Sequence, residues 1–512
     1  MSIRAIILAG LLGLPLVAGS ALAAETKNLS LTDAAKQGDG EAMRSLLNGD
    51  VKTTDVASPE ASAALIWAAT RGDVQMVDLL LGAGADPKAA NEYGATALYA
   101  AATHADPAIT VKLLAAGADA NAPLASGETA LMEAARRGNL DTVRALLSAK
   151  ADPNAREGKG GQTALMWAIS ERHSDVVEEL VRQGADVNAR SKTGFTALMF
   201  AAQQGDAAAA RALLDAKANP NEVMPKTGAT PLIVASAIGN IEVVSLLLDK
   251  GANPNAVDAN GFTSLHHAVR DSDYGVDPAS KAVAVTVVKA LLAHGANPNA
   301  RLQLDKEKVA AERKAQAGNA AARTKRTSIT ITEIELEGAT PVALAAEVNN
   351  LDAVKALVDG GADPRIATEQ GTTPLILASG AGTDVQRART LEERAMAVET
   401  ARYLVDHGAD VNAAGQFGWT ALHAASYQGL NDVVEFLVSK GAKLDTMDGL
   451  GQTPLSISLS VLTKDAGARR LQIPRRYRGD TAALLLKLGA TPLNKSGVVV
   501  VLQRNGDLVA GE

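Results

Sequence analysis

Two kinds of apolar run alternate along the chain. One pairs small residues, as in Ala68-Ala69, Ala101-Ala102, Ala134-Ala135 and Ala201-Ala202; the other is a branched stripe such as Val143, Leu146 and Leu147, or Val243, Val244, Leu247 and Leu248. The stripe has the spacing of one buried helix face, and the small pairs let neighbouring helices approach closely. The chain therefore reads as helix pairs. Threonine precedes the first helix of a pair as an N-cap, and proline follows it at Thr230-Pro231, Thr340-Pro341, Thr373-Pro374 and Thr453-Pro454, where a missing N–H does no harm. Glycines such as Gly184, Gly251 and Gly408 end the second helix in a left-handed C-cap. Asn253-Pro254-Asn255 and Gly261 then turn the chain into the next pair.

The cap threonines fall at 96, 129, 163, 196, 230, 263, 340, 373, 420 and 453, a period of 33 or 34 broken twice, by gaps of 77 and 47. Ala63 and Leu31 mark two further units upstream, which makes twelve. Units eight, ten and twelve are long by 11, 14 and 15 residues between their two helices, at about Ser272–Ser280, Thr383–Met396 and Leu462–Tyr477; another 33 residues follow Gly295. One helix pair cannot cover its own apolar faces, so neighbours must stack, and the expected fold is an all-α solenoid with short β-turn tips.

The residues Gly418-Trp419-Thr420-Ala421-Leu422-His423-Ala424-Ala425 and their continuation to Gly441 resemble the ankyrin repeat, and the resemblance covers about residues 30 to 494. Departures are few: Lys150 and Lys217 stand where the C-cap glycine belongs, and the first unit lacks its threonine. The expected organisation is a signal peptide over 1–23, repeats one to eight over 24–300, a charged inserted loop over 301–338, repeats nine to twelve over 339–494, and a C-terminal hairpin or cap over 495–512 with its turn at Asn505-Gly506.

Export is read from Arg4, the apolar run Ala5–Val17 and the small-residue end Ala21-Leu22-Ala23. The short cleavage end looks bacterial, so a periplasmic or secreted protein is expected. No later apolar run is long enough for a membrane span. A formal net charge of -7 argues against nucleic acid as a partner, and the absence of cysteine removes disulfides, thiolate metal sites and a cysteine nucleophile. Of the seven histidines, five sit at framework positions and His104 and His267 do not, yet neither has neighbours at ligand spacing. No cofactor, metal or catalytic residue is expected.

What remains is recognition by a monomeric scaffold. In ankyrin proteins the turn tips and the exposed first-helix positions form a concave binding face. Transferred by position, the tips offer Glu92, Tyr93, Phe195, Phe262, Phe417 and Trp419, and the helices offer Arg71, His104, Arg136, Arg137, Gln204, Arg270 and Tyr427. Phe195, Phe262 and Trp419 either meet a partner or fold back over the adjacent turn. Arg475 and Arg476 in the last insert suit an acidic partner surface or pair with repeat carboxylates. The leading expectation is a non-enzymatic scaffold for a protein partner. The rivals are an inhibitor or immunity protein of a periplasmic enzyme, and an accessory to an exported oxidoreductase or peroxide defence system.

Overall fold

The computed structural model describes residues 30–48, 59–270, 278–303, 336–381, 390–459, 462–463, 477–492, 498–502 and 508–509. The expected signal peptide and most of the basic insert, Arg475 and Arg476 included, lie outside the described residues. The chain forms two compact units, residues 1–159 and 160–512.

The first unit holds four helix pairs: α1 (Leu31–Gln37) with α2 (Gly40–Asn48), α3 (Pro59–Arg71) with α4 (Val74–Gly82), α5 (Ala97–Ala101) with α6 (Ala108–Ala115), and α7 (Ala130–Arg137) with α8 (Leu140–Ser148). Eight pairs follow in the second unit. They are α9 (Ala164–Ser170) with α10 (Ser174–Arg182), α11 (Ala197–Gln204) with α12 (Ala207–Asp215), α13 (Pro231–Ile238) with α14 (Ile241–Asp249), and α15 (Ser264–Val269) with α16 (Pro278–Ala293). Then come α17 (Pro341–Glu347) with α18 (Leu351–Asp359), α19 (Pro374–Ala378) with α20 (Leu391–Asp406), α21 (Ala421–Gln428) with α22 (Asn431–Ser439), and α23 (Pro454–Ser458) with α24 (Gly479–Lys487). Within each unit every first helix packs on the next first helix and every second helix on the next second helix. Ala134 and Ala135 of α7 and Val143 and Leu146 of α8 are buried in this packing.

The predicted caps are present. Nine of the ten cap threonines accept a hydrogen bond from the backbone N–H three residues on, Thr340 being the exception. Lys150 and Lys217 adopt the left-handed conformation of the glycines they replace, with φ of 65° and 70°. The turn asparagines do more than turn the chain. Asn221 donates from Nδ2 to the Gly251 carbonyl at 3.0 Å and accepts from the Asn253 N–H at 2.7 Å, and Asn121, Asn299 and Asn412 make the same two bonds to their following repeats.

Part of the extra length expected between the helices of repeats eight and ten is helical. Pro278–Ser280 and Leu391–Met396 belong to α16 and α20, each of 16 residues where an ordinary second helix has nine. Thr390 and Glu393 form a capping box that starts α20 earlier. At the C-terminus β1 (Leu462–Thr463), β2 (Val498–Leu502) and β3 (Leu508–Val509) form an antiparallel sheet in the order β1-β2-β3. The tail thus pairs as a hairpin and also joins a strand from the twelfth repeat's insert.

The longest insert leaves from the tip of a turn. Leu302 N–H donates to the Ala339 carbonyl at 2.9 Å and Gly338 N–H to Leu302 at 2.8 Å, the bonds that Asp258, Phe262 and Gly261 make in repeat eight. Arg301–Gln303 and Glu337–Gly338, expected in the loop, are therefore the two sides of the ninth turn, and the excursion proper is the 33 residues 304–336.

Candidate partner-binding surface

Each turn projects as a finger, and backbone hydrogen bonds tie fingers to each other. Ala125 N–H donates to Tyr93 at 2.9 Å and Gly158 to Ser126 at 2.7 Å in the first unit; in the second, Lys192 donates to Gly160 at 2.7 Å, Ala259 to Thr227 at 2.7 Å and Glu369 to Glu337 at 2.8 Å. Among the first unit's fingers Tyr93 is 62% exposed and Glu92 is exposed beside it, with Asn91 Oδ1 accepting the Tyr93 and Ala95 N–H groups at 3.0 and 2.9 Å. Phe417 holds the place equivalent to Tyr93 in repeat eleven and is also 62% exposed, at a φ of 65° that a bulky side chain rarely adopts. Met447, exposed on the next finger, was not singled out by sequence, since its position is polar or small in most repeats.

The aromatic residues that precede the cap threonine fold inward. Phe262 is buried: its ring meets His266 edge-on at 6.0 Å and lies 5.3 Å from His267. Phe195 is half-buried against Phe200 at 5.2 Å. Trp419 is half-buried, donates from Nε1 to Asp448 at 3.1 Å and packs edge-on against Tyr427 at 5.8 Å. Tyr427, expected at the exposed face, is buried with Ile457. Phe262 and Tyr427 are thus corrected to packing residues, because the place before one threonine and the place seven after it converge on the first-helix face.

The polar residues at the ends of the first helices divide by role. Arg71 is exposed and donates from Nη1 to the Lys36 carbonyl at 3.1 Å, and His104 Nε2 lies 2.9 Å from the Thr70 carbonyl. Both complete the open end of the preceding first helix, as Asn139, Asn240, Gln428 and Arg478 do for Ala102, Ala202, Gly380 and Tyr427. Gln204 is half-buried and its carbonyl accepts from Arg172. Arg136 and Arg137 share the buried Glu133 carboxylate, donating from Nε at 2.9 and 2.8 Å. That shared acceptor fixes both guanidiniums while leaving Arg137 exposed. Nearby Tyr99 donates to Glu128 at 3.1 Å, and burial, with Glu133 and Glu128 beside it, raises its phenol pKa. Arg270 is exposed and lies 4.7 Å over the Phe262 ring. In the last repeat Tyr477 is 62% exposed.

The histidines are framework groups. His266 Nε2 faces the Ala339 carbonyl at 3.2 Å and His423 Nε2 the Gln452 carbonyl at 3.1 Å, so Nε2 carries the proton; each Nδ1 accepts the N–H of its own cap threonine at 3.2 Å. Burial lowers both pKa values, that of His266 to about 4. His267 Nε2 is held by Asp258 at 2.9 Å. Among the described residues there is no group of three His, Cys, Asp or Glu placed to hold a metal ion, and no helix is long and apolar enough to cross a membrane.

A turn with finger, two antiparallel helices and a Thr-x-Leu cap, repeated and stacked, defines a class of repeat protein, and comparison with known proteins says which. The family profile "Ankyrin repeats (3 copies)" matches residues 31–123, 105–191, 131–224, 198–302 and 393–460, and "Ankyrin repeat" matches 337–369. With more than half of its length matched, the chain belongs to the ankyrin-repeat family. It is 32% identical to the ankyrin repeat and SOCS box protein 16 of Mus musculus over 155 residues, 30% of this chain and 31% of the relative. It is 37% identical to protein phosphatase 1 regulatory subunit 27 of Homo sapiens over 57 residues, 11% of this chain and 37% of the relative. The chain thus spans about a third of the length of these curated relatives. The ankyrin repeat domain of Bcl-3 aligns at 28% identity with a TM-score of 0.36, over 39% of this chain and 91% of that one.

Proposed function

We propose that the protein is an exported, non-enzymatic scaffold that holds a protein partner against its fingers and first helices. The observation that carries this reading is the pairing of exposed side chains with fixed supports. Tyr93 stands on a finger bonded to its neighbour, and Arg137 is held by a buried carboxylate. Large side chains on a rigid base bury area at little entropic expense, which is the composition of binding hot spots. The ankyrin fold is typically a non-enzymatic binding domain, and a relative named as a regulatory subunit is consistent with binding as the activity. Export to a bacterial periplasm is supported by the leader-like pattern over residues 1–23.

The test uses the exported fraction of the source organism as the pool of partners. Tyr93→Ala, Arg137→Ala and Phe417→Ala together are expected to weaken capture at least about tenfold while the melting temperature holds. Unchanged capture would remove the surface assignment. A captured enzyme that loses activity on mixing would favour an inhibitor over a scaffold.

A further inference from the structure

Among the described residues, repeat nine holds two buried polar side-chain atoms without a partner and, between them, a half-buried carboxylate also without one. Thr340 has the backbone torsions of an N-cap, yet its hydroxyl makes no cap bond and is buried without a partner. Asn349 is left-handed at a φ of 49°, and its Oδ1 is buried without a partner. Between them Glu347 ends α17 half-buried, and among the described residues its carboxylate makes no hydrogen bond or ion pair.

The equivalent places elsewhere show what is missing. Glu347 lies seven residues after its cap threonine, as do Arg136 and Arg270. Arg136 is bonded to Glu133, and Arg270 lies on the Phe262 ring. In repeat ten the place is Gly380, which has no side chain to donate. Glu347's immediate neighbours on the chain are Ala346 and Val348, both apolar, with Val348 exposed. Burial raises the Glu347 pKa, and only the charge of Arg270 opposes the rise. A desolvated carboxylate without a donor is unfavourable, and a group so perturbed on a binding face is a candidate for recognition.

A carboxylate only accepts, so its complement is a donor. A metal ion would need further ligands, and none are grouped here among the described residues. An ammonium or guanidinium on a long stem fits best: its head pairs with the carboxylate while its methylenes cover Val348. We infer that Glu347 is a recognition carboxylate that receives a lysine or arginine side chain of a polypeptide partner on the first-helix face of repeat nine. The inference rests on the partner-holding role proposed above.

Peptides selected from a displayed random library on the full chain test it, with Glu347→Gln beside the wild type. The expected binders share a lysine or arginine whose replacement by glutamine weakens binding about tenfold or more, and E347Q produces the same loss. E347Q should also melt higher than the wild type, because it removes a half-buried charge without a partner. Binders without a shared cation, binders indifferent to E347Q, or a lower melting temperature for E347Q would each overturn the recognition role. If such cation-independent binders still lose affinity with Tyr93→Ala and Arg137→Ala, the scaffold reading survives alone. A library that yields no binder to the wild type overturns both.

Discussion

Repeats eight and eleven carry the same histidine in the same place and differ in the length of chain beyond it. After repeat eleven the next cap threonine comes 33 residues on, at Thr453; after repeat eight it comes 77 on, at Thr340. Yet His266 reaches the Ala339 carbonyl at 3.2 Å and His423 the Gln452 carbonyl at 3.1 Å. Asn299 likewise bonds Gly361 and Asp363 as Asn412 bonds Gly441 and Lys443. The register of the stack is therefore fixed by bonds between neighbouring repeats, and the number of residues that join them does not enter.

The sharpest way to break this comparison is to remove the histidines. His423→Ala and His266→Ala should each destabilise the second unit by about 2–4 kcal/mol, the sum of a cavity and unmet buried partners, measured by chemical denaturation. Equal losses would show that the two joints are the same despite the excursion; a loss only at His423 would show that the ninth repeat is held by something else. The same pair gives a pH dependence. Both histidines are neutral when folded and gain protons more readily when unfolded, at about 6.5. Their contribution is complete above that value and is lost as pH falls toward the folded pKa of about 4 at His266, a difference of up to about 3 kcal/mol there. The melting temperature should fall between pH 7 and pH 4, and less so in the double alanine variant.

Smaller effects sharpen the picture. Lys150→Gly and Lys217→Gly should each stabilise by about 1 kcal/mol, because both positions are already left-handed. Smallest should be the deletion of residues 304–336 with Gln303 joined to Glu337. This rebuilds a finger of ordinary length, and a change in unfolding free energy below about 1 kcal/mol is expected. A large loss would mean that the excursion helps to hold the stack.

Much of this architecture could be read from the chain, since the cap threonines, C-cap glycines and apolar stripes act over a few residues. The remainder depends on residues one repeat apart or more. Phe262 and Tyr427 match an exposed place in a single repeat and are buried only once the neighbouring positions converge on them. The lengthened start of α20 has a signal in the sequence, the Thr390-Leu391-Glu392-Glu393 capping box. Arg71 and His104 read as free surface because the carbonyls they complete belong to a different repeat. Glu347 had no signal at all, since a lack of partners is visible only in three dimensions.

The bonds that complete the first-helix ends run mostly backward along the chain, with Arg172 to Gln204 as an exception. Arg71, His104 and Asn139 each reach back to the repeat before them, and so do Asn240, Gln428 and Arg478. Where these bonds occur, a repeat depends on its successor to finish its first helix. The turn asparagines run the other way, because Asn121, Asn221, Asn299 and Asn412 donate to carbonyls of the repeat that follows. Where both sets of bonds occur, a repeat is completed from both sides, its first-helix end by its successor and its second-helix end by its predecessor, so removing a repeat from either end of a unit bares carbonyls in the one left behind.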